Sequence, residues 1–424
     1  MKPATRFALT DLSAAAVTAN AIRPVRRQGP LASPAFAAAL GPSEFPIHTG
    51  LFDLAVAAVL ARGGGTRGWQ GKLGIALQAA SLAGLVLVHR TDRQAGPVLE
   101  AALVDGLGAN YRARMHESYV PRPELAVTRR QLLVPDMRVR KRFRSARDIS
   151  YGEFGARNQL DVWRRSDLAP DAKAPVLFQV HGGAWTMGQK EGQAEPLMAH
   201  LAERGWVCVT ANYRLSPRAT WPDEIADVKR ALAWTKTNIA DHGGDPEFIV
   251  ITGGSAGGHL CSLAALTPNL PAFQPGFEDV DTSVAAAVSF YGVYDFVNRY
   301  GTSSPDFERF VATRLFKSKL SDDRERWELA SPVSHVGPDA PPFFVLHGTN
   351  DSLVPVAQAR SFVDELRKAS KQPVVYAELP GAQHAFEIMP SVRTLATVHA
   401  VERFLAVVRS ERIAAGQTPV AGRR

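Results

Sequence analysis

A serine lies between closely spaced glycines in the segment Gly253–Gly257, which follows the apolar run Phe248–Thr252. The pattern G-x-S-x-G between a strand and a helix is typical of a nucleophile elbow, a strained turn that exposes a serine hydroxyl. Glycines at Gly253 and Gly257 are needed because neighbouring backbone crowds such a turn. The segment therefore predicts Ser255 as a nucleophile, with a helix N-terminus behind it that favours developing negative charge.

The same glycine-rich segment, extended to Gly258, could also be read as a phosphate-binding loop. It lacks the Gly-Lys-Ser/Thr ending of a P-loop and the acidic residue of a dinucleotide fingerprint. No pair of histidines with a carboxylate has zincin spacing in the sequence. Cys208 and Cys261 fall in apolar surroundings without metal-ligand spacing, so we expect both in the core. The sequence therefore predicts neither a nucleotide cofactor nor a catalytic metal.

A second glycine pair, Gly182 and Gly183, lies upstream of the serine, directly after another apolar run. Small residues allow backbone N–H groups to converge on one oxygen, as stabilisation of a tetrahedral oxyanion requires. We expect N–H donors from Gly183 and Ala184 and a third from Ala256, the residue after the serine. His181 is expected to support this loop, and a purely structural role for it is equally compatible with the sequence.

A serine nucleophile needs a general base and a carboxylate that orients the base. His384 follows the strand-like run Val374–Leu379, and Asp351 follows the run Phe343–His347. The chain order of serine, acid and histidine is the order of hydrolases with a nucleophile elbow. Asp295 also follows a strand-like run and remains a competing acid. Three other histidines are expected to pack in loops or in the core: His259, His335 and His347.

Strand-like and helix-like segments alternate over some 260 residues, beginning near residue 149. Such alternation predicts a mostly parallel sheet with helices on both faces. The carboxyl ends of parallel strands meet at one edge of a sheet, where loops build functional sites. The runs before Ser255, Asp351 and His384 are each expected to end at that edge.

The formal net charge of +8 is unevenly distributed along the chain of 424 residues. Residues 1–147 carry 21 basic and 9 acidic side chains, whereas the remainder carries 28 and 32. The excess charge therefore says nothing about a catalytic substrate. Its densest part could hold phosphates of lipid headgroups or form a solvated face, and we expect no nucleic-acid partner. This part comprises Arg138, Arg140, Lys141, Arg142, Arg144 and Arg147.

Two apolar segments, Leu51–Ala61 and Leu73–Val88, are joined by a Gly-rich basic turn and predict a helical hairpin over about residues 45–90. As a helix, the second segment would be about 24 Å long, short of the roughly 30 Å hydrocarbon core of a bilayer. Basic residues at its ends suit an interface. The sequence therefore leaves two interpretations open, contact with an anionic membrane surface or a soluble helical cap.

The first residues have a basic start followed by the Ala-rich stretch Phe7–Ala21, which resembles a leader only superficially. Asp11 interrupts its apolar region, so we expect no secretion by a cleaved signal peptide. The predicted location is membrane-associated or cytoplasmic.

These motifs together resemble the hormone-sensitive-lipase-like esterases, and among them most of all the mycobacterial Lip-type carboxylesterases. The resemblance covers about Ile149–Val408 and includes the stretches Asn212–Pro217 and Phe290–Phe296. It implies an α/β-hydrolase fold that hydrolyses carboxylic esters with small-to-medium acyl chains, without a diffusible cofactor. It also implies Ser255 as nucleophile, with His384 as base, Asp351 as acid and the three N–H donors named above. Ala184 stands where the group has a third glycine, which keeps the donor and predicts a differently shaped acyl pocket.

The sequence thus predicts three regions. Residues 1–147 form a basic, partly apolar helical region, residues 148–410 the catalytic domain and residues 411–424 a flexible tail. An insertion at about 298–336 is expected to cap the site together with part of the first region and to select acyl length. Two other function classes remain open: an amidase, formamidase or peptidase with the same triad, and a non-enzymatic binding protein. Lipase action on long-chain lipid esters also remains open, because of the apolar hairpin in the first region. The sequence predicts no oligomeric state.

Overall fold

The computed structural model describes residues 1–24, 31–116 and 142–416. It begins with helices α1 Pro3–Ile22, α2 Ala32–Glu44, α3 Pro46–Arg62, α4 Gly68–Asp92 and α5 Ala95–Leu107. The strands that follow are β1 Arg144–Ser150, β2 Gln159–Trp163, β3 Ala174–Val180, β4 Val207–Ala211, β5 Gly244–Gly254, β6 Ala286–Phe290, β7 Phe343–Gly348 and β8 Val374–Leu379. The helices among and after these strands are α6 Glu195–Glu203, α7 Asp223–Asn238, α8 Ala256–Leu266, α9 Pro305–Val311, α10 Arg324–Ala330, α11 Val356–Ala369 and α12 Val392–Ala414.

The strands form one sheet in the order β1-β2-β4-β3-β5-β6-β7-β8. The pairs β1–β2 and β2–β4 are antiparallel, and the remaining pairs are parallel. Every residue of β3, β4, β6 and β7 is buried, as expected for strands covered on both faces. The predicted mostly parallel α/β sheet is therefore confirmed.

Two apolar cores lie on the two faces of this sheet. One includes the side of α7 formed by Ile225, Val228 and Leu232, all buried. The other includes Leu99 and Leu103 of α5 together with residues of α6 and α12. A Cβ atom on Gly106 of α5 would lie 2.8 Å from the Cα of Val375 in β8. Helix α5 is therefore part of the core of the catalytic unit, although it comes before residue 147.

Both predicted boundaries of the catalytic domain need correction. Strand β1 begins at Arg144, because the segment before residue 148 pairs with β2. Helix α12 continues to Ala414, and Glu411 in its last turn pairs with Arg114 at 2.6 Å. Residues 411–414 of the predicted flexible tail are therefore helical, and residues 417–424 lie outside the described residues.

The basic cluster is only partly described. Arg138, Arg140 and Lys141 lie outside the described residues. Arg142, Arg144 and Arg147 each lie near an acidic side chain: Glu203 at 3.2 Å, Asp161 at 3.6 Å and Asp148 at 3.9 Å, respectively.

The predicted hairpin is formed by α3 and α4, and α1 packs against both. Small or polar residues of α4 point inward, among them Gly74, Gln78 and Ser81, whose hydroxyl lies 2.9 Å from that of Thr18 in α1. Helix α4 has 25 residues and is about 37 Å long, longer than the apolar segment alone. By length and composition, the stretch Gly68–Leu107 could cross a membrane, and α2 and α3 could do so only as a pair bent by 98°.

A buried ion cluster joins this helical bundle to the catalytic unit. Arg393, at the start of α12, contacts the carboxylates of Glu44 at the end of α2 and of Asp92 at the end of α4. All three side chains are at most 2% exposed. A buried charge that loses its partner is costly, so both carboxylates depend on this one guanidinium.

Replacing Arg393 with methionine should lower the free energy of unfolding by about 3–5 kcal/mol, because it leaves buried carboxylates without a counter-charge. Arg367→Met is the matched control, since Arg367 also reaches the N-terminal region through Asp105 at 2.6 Å. Both partners of that pair are well exposed, so the expected loss is below about 1 kcal/mol. Urea unfolding measures both values, and equal losses would contradict the assignment.

Candidate active site

Ser255 occupies the turn between β5 and α8, with φ 59° and ψ −121°. Its backbone N–H donates to the carbonyl of Phe290 at 3.0 Å. A Cβ atom on Gly253 would lie 2.4 Å from the carbonyl oxygen of Gly257, and one on Gly257 would lie 2.1 Å from that of Val180. Backbone crowding therefore requires both glycines and holds the serine in a strained conformation at the end of the strand.

Asp351 and His384 follow β7 and β8, and the structure brings them together. The Nδ1 atom of His384 lies 2.7 Å from Oδ2 of Asp351. The other carboxylate oxygen accepts from the N–H groups of Leu353 and Val354, both at 2.8 Å. Burial alone would raise the pKa of Asp351, but the charge of His384 and hydrogen bonds from His347 and His384 hold it well below its usual value. Asp351 is therefore a carboxylate that can orient the His384 ring.

His347 is a contact of Asp351 that the sequence did not reveal. Its Nε2 atom lies 3.2 Å from Oδ2 of Asp351 and 2.9 Å from the carbonyl oxygen of Val354. The side chain is fully buried in β7, so it adds a second donor beside the carboxylate. In the sequence, only the four-residue spacing between His347 and Asp351 could have indicated this contact.

The competing acid Asp295 is bound elsewhere. Its carboxylate accepts from the backbone N–H of Arg299 at 2.6 Å and from the Nε of the same residue at 3.1 Å. Asp295 therefore stabilises the turn after β6, whereas Asp351 contacts the histidine.

A cavity of 520 Å³ is lined by both Ser255 and His384. Phe307 and Phe310 of α9 line it from the predicted cap insertion. Ala32 and Ser33 of α2 line it from the N-terminal region. Further lining residues are Ala184, Trp185, Thr186, Met187, Val293, Ser303, Ser304, Asp306, Leu353, Val354, Pro355 and Gln358.

The loop after β3 lies directly against the serine. A Cβ atom on Gly182 would lie 2.6 Å from the carbonyl oxygen of Gly254 and 3.2 Å from the Cβ of Ser255. Gly183 has φ +123° and Ala184 has φ 50°, so the chain turns sharply beside Ser255. Within residues 1–24, 31–116 and 142–416, no hydrogen bond takes the N–H groups of Gly183, Ala184 or Ala256.

His181 lies behind this loop and is completely buried. Its ring stacks on Tyr213 with centroids 4.2 Å apart, and its Nδ1 lies 2.8 Å from the carbonyl oxygen of Gly182. Burial lowers the pKa of His181 to about 4, so the ring is neutral near neutral pH and Nδ1–H donates to that carbonyl. Tyr213 in turn donates to the carbonyl of His181 at 3.0 Å. Both residues therefore fix the backbone that presents Gly183.

His259 links the loop to the cap insertion, a role that nothing in the sequence indicated. The indole N–H of Trp185 donates to its Nδ1 at 3.0 Å, and its Nε2–H donates to the carbonyl of Ala330 in α10 at 2.8 Å. These partners assign the tautomer with the proton on Nε2. Burial lowers the pKa of His259 to about 3, so it is neutral in the folded protein.

Tyr291 and Glu387 form a buried pair beside the catalytic candidates. The rings of Tyr291 and His384 are 4.5 Å apart, and the Tyr291 hydroxyl donates to Glu387. A Cβ atom on Gly254 would lie 3.0 Å from Oε1 of Glu387, so this carboxyl group also touches the serine turn. Burial raises the pKa of Glu387 to about 7. The sequence did not indicate this pair, because its members are 96 residues apart.

Among the described residues, one group of side chains on α6 and α12 has metal-ligating atoms within 4.8 Å of one another: His200, His399 and Glu402. Glu402 already accepts from His200 at 2.7 Å and lies 3.2 Å from Nε of Arg204. None of these residues lines the cavity of Ser255.

Acid should destabilise the protein partly through His259. On unfolding, its pKa returns to about 6.5, so the unfolded chain binds an extra proton between about pH 3 and 6.5. The free energy of unfolding therefore falls as pH drops through that window, by about 2 kcal/mol at pH 5 for this residue. Urea unfolding at pH 7.5 and pH 5 should show a larger loss for the wild type than for His259→Gln. Identical losses would contradict the neutral assignment.

Solved structures that superpose on this chain include the esterase Est2 of Thermogutta terrifontis. It is 25% identical, gives a TM-score of 0.52 and covers 65% of this chain and 94% of its own. The BD-FAE family profile matches residues 160–366. The fold is therefore that of an α/β-hydrolase, and with the site it defines an esterase class of protein.

Two relatives come from Mycobacterium tuberculosis. The probable carboxylic ester hydrolase LipM is 50% identical over 398 residues, which are 93% of this chain and 91% of the relative. The esterase LipQ is 48% identical over 328 residues, which are 76% of this chain and 77% of the relative. The chain belongs to this family of Lip-type carboxylic ester hydrolases, and the predicted enzyme class is confirmed.

Proposed function

We propose that the chain hydrolyses carboxylic esters through Ser255, His384 and Asp351 by way of an acyl-enzyme. The observation that carries this proposal is the 2.7 Å contact between Asp351 and Nδ1 of His384 at the cavity that Ser255 also lines. With the Nδ1 proton facing the carboxylate, the Nε2 atom of the ring is free to accept a proton.

In the first half-reaction, Oγ of Ser255 bonds to the ester carbonyl carbon while Nε2 of His384 takes the serine proton. The N–H groups of Gly183, Ala184 and Ala256 stabilise the oxyanion of the tetrahedral intermediate. The C–O bond to the alcohol then breaks, and His384 protonates the leaving oxygen. In the second half-reaction, water gives a proton to His384 while its oxygen bonds to the acyl carbon. The bond from that carbon to Oγ of Ser255 then breaks, His384 returns the proton to Oγ, and the acid leaves. Asp351 stabilises the imidazolium in both halves.

We further propose esters with small-to-medium acyl chains as substrates. The cavity of 520 Å³ falls within the range of roughly 300–1,000 Å³ that is usual for small-molecule sites. The Thermogutta terrifontis esterase has been solved with propionate and with butyrate bound, which supports short acyl groups here. Parallel assays with ester and amide substrates of the same acyl group test the amidase alternative.

Asp351→Asn should lower kcat by about 10⁴-fold, because the asparagine side chain holds the histidine in the wrong tautomer. Ser255→Ala should lose at least as much and should fail to react with a fluorophosphonate probe. Asp295→Asn is the matched control and should stay within about threefold of the wild type, since Asp295 contacts Arg299 instead. Hydrolysis of p-nitrophenyl butyrate measures all three. A large loss in Asp295→Asn with little loss in Asp351→Asn would reverse the assignment.

We propose that the bundle of α1, α3 and α4 lies in the interface of an anionic membrane. In a helix on the surface of a soluble protein, apolar side chains face inward and polar ones face water. In α4 the buried side carries the polar residues Gln78 and Ser81. Interfaces between membrane helices are enriched in such small and polar residues. The outward side chains are apolar and 45–70% exposed: Leu51, Phe52, Leu54, Val59, Trp69, Leu73, Ile75, Val86 and Leu87.

The charges of the bundle support the same partner. The turn between α3 and α4 lies next to the start of α1, since a Cβ atom on Gly65 would lie 2.9 Å from the Cβ of Phe7. This end of the bundle, which we call the basic tip, carries the exposed side chains Lys2, Arg6, Arg62, Arg67 and Lys72. The opposite end carries Glu44 and Asp92, which bind the catalytic unit, together with the exposed side chains Arg90 and Arg93. Lipid phosphates are the ligand that such a tip attracts.

The full chain should float with vesicles of phosphatidylcholine containing 30% phosphatidylglycerol. The triple variant Arg62→Gln, Arg67→Gln, Lys72→Gln should bind about 10²-fold more weakly, at about 1 kcal/mol per basic residue. The control, Arg218→Gln, Lys319→Gln, Lys371→Gln, removes the same charge from exposed positions of the catalytic unit and should bind like the wild type. No flotation of the full chain, or equal weakening in both variants, would refute the proposed surface.

A further inference from the structure

Helix α2 contributes to the catalytic cavity although it lies far from the catalytic unit in sequence. Ala32 and Ser33 in its first turn line the cavity with Ser255. Phe36, one turn further on, meets the ring of His384 edge-to-face with centroids 5.9 Å apart. The BD-FAE profile begins only at residue 160, so this wall lies outside the matched catalytic region.

Helix α2 is held in place at several points. Glu44 in its last turn contacts Arg393 and accepts from the hydroxyl of Ser391 at 2.6 Å. The amide of Asn20 in α1 donates to the carbonyl of Ala35 at 2.8 Å. The amide of Asn350 donates to the carbonyls of Ala21 and Ile22, and Asn350 directly precedes Asp351. The wall therefore has a fixed position relative to the catalytic candidates.

The side chains on this wall are small where they face the cavity. Phe307 and Phe310 line the cavity from the cap insertion, whereas α2 presents a methyl group and a hydroxymethyl group. Ser33 is exposed and lines the cavity, so a larger side chain there can occupy cavity space. Ala32 is buried and offers less freedom.

We propose that α2 is a wall of the acyl-binding part of the cavity and that side-chain size at Ser33 and Ala32 sets the acyl length that the enzyme accepts. This inference rests on the proposed function, in which Ser255 is the nucleophile. The N-terminal region then has two tasks, because α1, α3 and α4 face the membrane while α2 shapes the substrate site.

Ser33→Phe should lower kcat/KM for p-nitrophenyl octanoate at least tenfold more than it lowers kcat/KM for the acetate. Even one methylene in an apolar pocket changes rates by about 10–200-fold. The matched control is Ala38→Phe, an exposed position of the same helix that does not line the cavity. Ser33→Ala is the conservative variant. Both should keep the chain-length profile of the wild type.

A profile of Ser33→Phe that is unchanged, or that falls equally for all chain lengths, would overturn the inference. So would a shortened profile in Ala38→Phe. Fluorophosphonate labelling separates this failure from failure of the proposed function. If the wild type reacts with the fluorophosphonate probe and Ser255→Ala does not, Ser255 is the nucleophile whatever the chain-length profile shows. Labelling of Ser33→Phe at the rate of the wild type shows that this variant is folded, and its profile then decides the question.

Discussion

The crowding of backbone around the serine turn is the constraint on which the rest of the site depends. Strand β5 lies between β3 and β6, and the turn after it contacts the ends of both. Gly257 approaches the carbonyl of Val180 at the end of β3, and the N–H of Ser255 donates to Phe290 at the end of β6. Room for these contacts exists only because glycines stand at 253 and 257. The loop after β3 also lies close to the serine, since a Cβ atom on Gly182 would lie 3.2 Å from the Cβ of Ser255. The same packing of strand ends therefore positions both this loop and Ser255.

Much of the catalytic unit could be predicted because its positions follow from strand ends. Ser255, Asp351 and His384 each come directly after a buried parallel strand, and such strands deliver their following residues to one edge. The choice between Asp351 and Asp295 could not be made in this way, since both acids satisfy the rule. The contact of Asp295 with Arg299, four residues later, distinguishes the two acids. That contact depends on a turn whose geometry is not visible in the sequence.

Other members of the site could not be predicted because their partners are far apart in the chain. His259 joins Trp185 to Ala330, and Glu387 meets Tyr291 across 96 residues. The ion cluster of Arg393 connects residues about 300 positions apart. The sequence did show that residues 51–88 are apolar, but not that their polar residues face inward. The inward direction of these polar side chains depends on the packing of α1 against α4.

The position of α5 changes how the chain can be divided. This helix belongs to the core beneath β8, α2 belongs to the cavity, and α1, α3 and α4 form the apolar bundle. Segments of the bundle and segments of the catalytic unit therefore alternate along the first hundred residues, so no single cut separates the bundle from an intact catalytic unit. A truncation that removes α1, α3 and α4 would therefore also remove the α2 wall of the cavity.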